Sequence, residues 1–317
     1  IGEEMMRRLD QMDGAIIDRR PGVAPTVDAE AVKYLMVEMV EEAGIDVLLH
    51  SWGVDAVVNG NQVQGVVFES KSGRQAILAK TVVDATGDGD IFAMAGAAYE
   101  RRSHNVGLVS RIGHLDRAKP RQTPDGDAKP RHLGRATPIQ GVNWVNMHGP
   151  EVDGLDVEVL TRMEMNHRKF IWKNMQRTRR IPGYDPVYLV ETAPQLGVRM
   201  TRVLHGLQTI TLQDLRAGTR FPDVVGVGGA SAGEHGPWQI PYGCLVPQEI
   251  DHLLAAGRCI SAEMRMGDLV RLIPNCFVTG QAAGVAAAVS ADQGCTPREV
   301  DVSAVQKILR QQKAYLG

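Results

Sequence analysis

Residues 81–102 read TVVDATGDGDIFAMAGAAYERR, and this stretch constrains the chain more than any other. An apolar run, Val82 and Val83, meets a turn built from Gly87 and Gly89, and a small-residue helix follows. A strand that stops at a glycine turn and restarts as a helix is the usual place to hold a phosphate or a ribose. This turn also carries two carboxylates, Asp88 and Asp90, which would repel a bare phosphate.

The neighbouring segments support a mixed α/β lobe. Residues 28–44, DAEAVKYLMVEMVEEAG, place Val32, Leu35, Met36, Met39, Val40 and Ala43 at helical spacing, with Asp28 as N-cap and Gly44 as C-cap. IDVLLHS then reads as a buried strand, and VDAVVNGNQVQGVVFES as a hairpin through Asn59 and Gly60. QAILA and KTVVDATG are two further strands. From about Tyr99 the chain becomes rich in Pro, Gly and Arg with little periodicity, as expected of loops and irregular strands in an inserted lobe. Residues 156–179 read as a long, strongly charged helix. AAGRCIS is a short strand ending in a turn, NCFVTGQAAGVAAAVSADQG a helix, and VDVSAVQKILRQQKAYLG a capped terminal helix.

With 317 residues the chain can bury a large core and divide into two lobes. Its net charge of -2 gives no electrostatic case for nucleic acid or an anionic membrane. The basic stretch after Tyr99 lacks the interleaved aromatics of a single-strand platform. No apolar run reaches the roughly 18 residues of a membrane span. Cys244, Cys259, Cys276 and Cys295 form no C-x-x-C pair, which fits free thiols in a reducing, cytoplasmic compartment. The histidines at 104, 114, 132 and 148 lack ligand spacing, so no metal site is expected. The chain opens on IGEEMMRRLD, which reads as the inside of a helix, and is expected to be a fragment, a processed product or a chain lacking its first part.

The one candidate for a dinucleotide G-x-G-x-x-G turn is VVGVGGASAGEHGPW. Counted from Gly226 its sixth position is Ser231, and the following EHGPWQIPYG holds two prolines that no phosphate-facing helix tolerates. A glycine-rich loop between strands is the better reading.

TVVDATGDGD, together with LLAAGRCISAEMRMGDLVRLIPNCFVTGQAAGVAAA, resembles the FAD-dependent oxidoreductases of the glutathione-reductase-like superfamily. The resemblance covers most of the chain and is specific over residues 82–96 and 253–288. It implies a Rossmann-like FAD/NAD(P)-binding lobe, incomplete at its N-terminus, with an inserted substrate or cap lobe. The division expected is 1–98 and 243–317 for the FAD lobe and 99–242 for the cap. The family's nucleotide-binding strand, its glycine turn and its ribose-binding acid precede the segment where this sequence begins.

By resemblance, Thr86, Gly87, Asp88 and Gly89 lie along FAD near its pyrophosphate and ribityl chain. A carboxylate suits ribityl hydroxyls, which donate to it. The alternative is that Asp88 and Asp90 merely cap the following helix. In PNCFVTGQAAGVAAA, Gly280, Ala283, Gly284 and Ala287 fall at i, i+3, i+4 and i+7, leaving one face nearly bare for a sheet or a flat ring. The helix N-terminus is expected near Thr279, Gly280, Gln281 and Ala282, and by resemblance points at the flavin pyrimidine. The alternative is ordinary small-residue packing. Arg258 and Ser261 are implied to lie beside the cofactor, the alternative for Arg258 being a rim salt bridge. For catalysis the resemblance implies His235 over the flavin as proton acceptor, Arg199 as a clamp on a substrate carboxylate or carbonyl, and Gln239 and Tyr242 nearby. Met200 stands where family members carry an acid.

The function implied is hydride transfer between a small organic substrate and flavin N5, with a redox partner or a nicotinamide completing the cycle. A homo-oligomer is left open. The alternative is a catalytically silent remnant serving assembly or small-ligand binding.

Overall fold

The computed structural model describes residues 1–18, 23–120, 130, 132–229 and 236–317. The chain forms two compact units. The first comprises Ile1–Gly2, Asp46–Arg102 and Met200–Gly317, and the second Glu3–Ile45 and Ser103–Arg199.

In the first unit, strand Val82–Asp84 pairs in parallel with Leu253–Ala255, Val82 opposite Leu253 and Asp84 opposite Ala255. Leu253, Leu254 and Ala255 are fully buried, as expected of a strand covered on both faces. Helix Ile273–Gln293 packs against this pair. A three-stranded antiparallel sheet, Trp52–Asn59, Gln62–Ser70 and Gly73–Leu78, lies alongside. Its first hairpin turns at Gly60 and Asn61, where Gly60 takes φ +61°, as the Asn59–Gly60 pair predicts. Strands Val224–Gly228 and Trp238–Pro241 pair antiparallel, and the glycine-rich stretch is accordingly a connection between strands. The terminal helix Val302–Gln311 is capped by Asp301, whose side chain accepts from the Ser303 N–H.

The second unit holds helix Ala29–Glu42, capped by Asp28, and helix Val157–Arg179, capped by Asp156. Short strands fill the residues between, the largest set being the four-stranded sheet of Arg135–Ala136, Asn143–Val145, Ser110–Gly113 and Tyr188–Thr192. Together the units make a mixed α/β architecture consistent with a Rossmann-like lobe.

One expected element is absent. IDVLLHS forms no strand, and Val47, Leu48 and Leu49 are exposed, Leu49 at 73%. Its apolar pattern suits a strand buried in a sheet, but among the described residues it has no ladder partner. Strand Val82–Asp84 likewise pairs on one edge only among the described residues. Trp52, Leu78 and Ile273, in the same unit, are also more than 70% exposed. An open strand edge beside exposed apolar side chains favours association. The purified chain is expected to self-associate with concentration in sedimentation velocity, and Leu48→Lys with Leu49→Lys is expected to reduce it. A concentration-independent monomer would contradict the expectation.

Candidate functional site

The parallel strands end level with each other, so the turns that follow stand side by side. The link is direct: the Ala256 N–H donates to the Asp84 carbonyl at 2.9 Å. Ligands of open α/β sheets bind outside the carboxyl ends of such strands.

Asp84 builds the first turn. It is 1% exposed, and its Oδ1 accepts from the Thr86 N–H at 3.0 Å and the Thr86 hydroxyl at 2.7 Å. Its Oδ2 accepts from the Phe92 N–H at 2.9 Å, which anchors helix Asp90–Met94. The Thr86 hydroxyl accepts in turn from the Asp90 N–H at 3.0 Å, so both of its roles are taken inside the turn. Gly87 takes φ +78°, and a Cβ there would overlap the guanidinium of Arg258. Gly89 takes φ +64°, and a Cβ there would overlap the Phe92 ring.

The two acids that open the question of this turn are matched by arginines. Asp88 Oδ1 meets Arg258 Nη2 at 2.9 Å and accepts from the Thr201 hydroxyl at 2.8 Å. Asp90 Oδ1 meets Arg202 Nη1 at 2.8 Å, and the same nitrogen donates to the Asp88 carbonyl at 3.0 Å. Arg202 also lies over the Tyr99 ring, 5.6 Å from its centroid. Asp90 therefore does not act as the helix cap, a position taken by Gly89 without a side-chain bond. The charge of the turn is compensated within the unit, which removes much of the electrostatic objection to an anionic ligand.

The third segment is tied in through Thr279. Its hydroxyl accepts from the Gly257 N–H at 2.9 Å and donates to the Asn275 or Cys276 carbonyl. The turns at 85–89 and 257–259 and the helix at Thr279 thus converge, although nearly two hundred residues separate the first from the last in sequence.

One expectation, the helix N-terminus, is corrected, and three expected site residues have internal partners. The helix starts at Ile273, with proline in its first turn, so Thr279, Gly280, Gln281 and Ala282 are not its N-terminus. Their N–H groups lie within the helical ladder, where no positive pole is presented. Thr279 and Ala282 are buried, whereas Gly280 and Gly284 face open space with no described atom within 4 Å of an added Cβ. Gln281 donates to Gln312 at 2.9 Å. Ser261, 1% exposed, shares a 2.9 Å hydrogen bond with the Thr209 hydroxyl and takes no part in the Asp88 turn. The Tyr242 hydroxyl donates to the Pro297 carbonyl at 2.7 Å, and burial pushes its pKa well above the ordinary phenol range. That is a structural tyrosine and a poor proton carrier. Gln239 is also committed, accepting from the Phe221 N–H and donating to the Leu316 carbonyl.

Arg199 lies in the second unit, where it donates to Asn105 Oδ1, to the Met147 carbonyl at 3.1 Å, and meets His148 Nδ1 at 3.1 Å. Met200, in place of an acid, is 3% exposed in the first unit and packs where a Cβ on Gly267 would fall. His235 lies outside the described residues. Gly229, just before that stretch, is pinned by Asn275, which accepts from its N–H at 3.0 Å and donates to its carbonyl at 2.9 Å. Burial pushes the Cys244 and Cys259 thiols well above their ordinary range, which leaves them unreactive.

Asp84, Thr201, Arg202 and Asn275 escaped the sequence reading. Asp84 had a signal, a carboxylate closing an apolar strand. The other three had none, because their roles depend on segments distant in sequence. Among the described residues no group of His, Cys, Asp and Glu could hold a metal ion. Among them, too, no single helix is long and apolar enough to cross a membrane.

The model of the FAD dependent oxidoreductase family matches residues 1–109 and 114–309. The chain belongs to that family. Among solved structures it is similar to the myxobacterial chondrochloren halogenase CndH, an FAD-dependent halogenase, at 14% identity and a TM-score of 0.47, covering 98% of this chain and 67% of that one. It is also similar to a geranylgeranyl bacteriochlorophyll reductase-like protein from Thermoplasma acidophilum, at 13% identity and a TM-score of 0.44, covering 92% and 60%. L-proline dehydrogenase from P. horikoshii matches at 15% identity and a TM-score of 0.38, covering 91% and 61%. The chain thus spans about three fifths to two thirds of the length of these proteins. No curated protein matches it.

Proposed function

We propose that this chain forms the flavin-side portion of an FAD-dependent oxidoreductase, acting on a small organic substrate. The observation that carries the reading is the convergence of Asp88, Arg258 and Arg202 at the carboxyl ends of two parallel strands. The donor set fits one edge of FAD. Asp88, with its side chain 27% exposed, offers a carboxylate to polyol hydroxyls, and Arg258 and Arg202 offer guanidinium groups to a pyrophosphate. Both arginines keep a buried Nε with no partner among the described residues. Among the described residues the other edge of Val82–Asp84 is unpaired.

When bound, FAD supplies a hydride acceptor at its N5 position. The chain's own residues bind and orient: Asp88 and Arg258 hold the turn against the cofactor, and His235 takes the substrate's hydroxyl proton. A redox partner or a nicotinamide completes the cycle.

The second reading is a silent remnant, favoured by a specific observation. The Thr86 hydroxyl, the Gly257 N–H and the space over Gly87 are all taken up internally. Flavin titration followed by fluorescence quenching separates the two. On the first reading the protein takes up FAD, and Asp88→Ala or Arg258→Ala weakens uptake roughly 10–100-fold, the worth of one charge-assisted hydrogen bond. Absence of uptake, or variants that bind as the parent does, would favour the remnant.

A further inference from the structure

Helix Val157–Arg179 turns Leu160, Met163, Ile171 and Met175 inward, onto the apolar clusters of its own unit. Its outer face is unusual. At 100° per residue, Arg162, Met165, Lys169, Trp172, Lys173 and the C-cap Arg180 fall within about 100° of arc, which also takes in one acid, Glu158, at the N-terminal end, and Gln176. All six are exposed, Met165 at 54% and Trp172 at 56%. The stripe runs about 27 Å along the helix axis. The one ion pair on this helix among the described residues joins Glu164 to Arg168, so the four cations of the stripe face solvent without a carboxylate partner there. Residues 157–180 hold seven Lys or Arg against two Glu, a local excess hidden by the chain's overall charge of -2.

We propose that this face is a peripheral docking surface for an anionic lipid bilayer. Met165 and Trp172 enter the headgroup region, and Arg162, Lys169, Lys173 and Arg180 pair with lipid phosphates. Charge complementarity selects this occupant. A second copy packing through the same helix would oppose like charges across the two-fold axis. A single-stranded nucleic acid needs aromatic rings in succession along one track, and Phe170 lies about 160° around the helix from Trp172. An apolar ridge carrying Trp, flanked by cations, is the composition of helices that lie in the plane of a membrane interface. This inference is independent of the flavin reading, and its test uses no cofactor.

The probe is phosphatidylcholine vesicles with and without phosphatidylglycerol, with binding of the whole chain read by co-sedimentation. Binding is expected only with phosphatidylglycerol and is expected to fall at high salt. Lys169→Glu with Lys173→Glu should weaken it about thirtyfold or more, since each interfacial cation contributes roughly a fivefold factor. Trp172→Phe should retain binding and remove the fluorescence quenched by brominated lipid, whereas Trp172→Ala should lose several-fold in affinity. Four results would each overturn the proposal. These are no preference for anionic vesicles, charge-reversed variants that bind as the parent does, single-stranded RNA bound in preference to vesicles through the same lysines, and self-association abolished by the charge reversals.

Discussion

Asp84→Ala is expected to destabilise the first unit by about 2–5 kcal/mol, a large share of the 5–15 kcal/mol that holds a typical domain. The Asp84 carboxylate is buried and accepts three hydrogen bonds, from the Thr86 N–H, the Thr86 hydroxyl and the Phe92 N–H. The hydroxyl can turn to water, because Thr86 is exposed. The Phe92 N–H cannot, and a buried donor without an acceptor costs about 1–3 kcal/mol. Asp84→Asn keeps the shape and one acceptor but sets an NH2 group against one of the backbone donors, so an intermediate loss is expected. A chain of two units need not unfold in one step. The discriminating measurement is therefore hydrogen exchange at the Phe92 amide alongside urea unfolding. Parent-like protection and an unchanged midpoint in the alanine variant would mean that the turn is held by something else.

His235→Ala is expected to slow flavin reduction roughly 10²–10⁴-fold in the FAD-loaded protein, with FAD affinity unchanged. The prediction rests on sequence alone, where this histidine precedes GPWQIPYGC. A general base acts only within about 3 Å of the proton it takes, so alanine removes the whole contribution. Single-turnover bleaching of the FAD-loaded protein, with a substrate that reduces the parent, is the measurement. If His235→Ala bleaches at the parent rate, the base is another residue. Tyr242 is then a poor substitute, since its hydroxyl is buried and bonded to Pro297.

What the sequence determined by itself was local. Asp28 caps its helix as its position predicts, because an N-cap needs only its own next three residues, and the long charged helix and the capped terminal helix form where they are expected, with Asp156 and Asp301 as their caps. The hairpin at Gly60 and the strand–turn–helix around Gly87 and Gly89 were legible for the same reason: positive φ is a property of the residue. The family was legible too, since its motifs are short and contiguous.

Tertiary structure decided the rest. The apolar pattern of IDVLLHS is that of a buried strand, yet a strand exists only with a partner to bond, and none is described beside it. Helix Ile273–Gln293 takes Pro274 into its first turn, where the missing N–H costs nothing, so its positive pole lies about two turns before Thr279. Arg258 carried both a cofactor reading and a salt-bridge reading in sequence, and its contact with Asp88 is satisfied across about 170 residues of chain. Arg202 and Thr201 give no local sign that they hold the Asp88 turn. A side chain's hydrogen-bond partner is a matter of distance in space, and only folding brings residues 84–90, 201–202 and 256–258 to within 3 Å of one another.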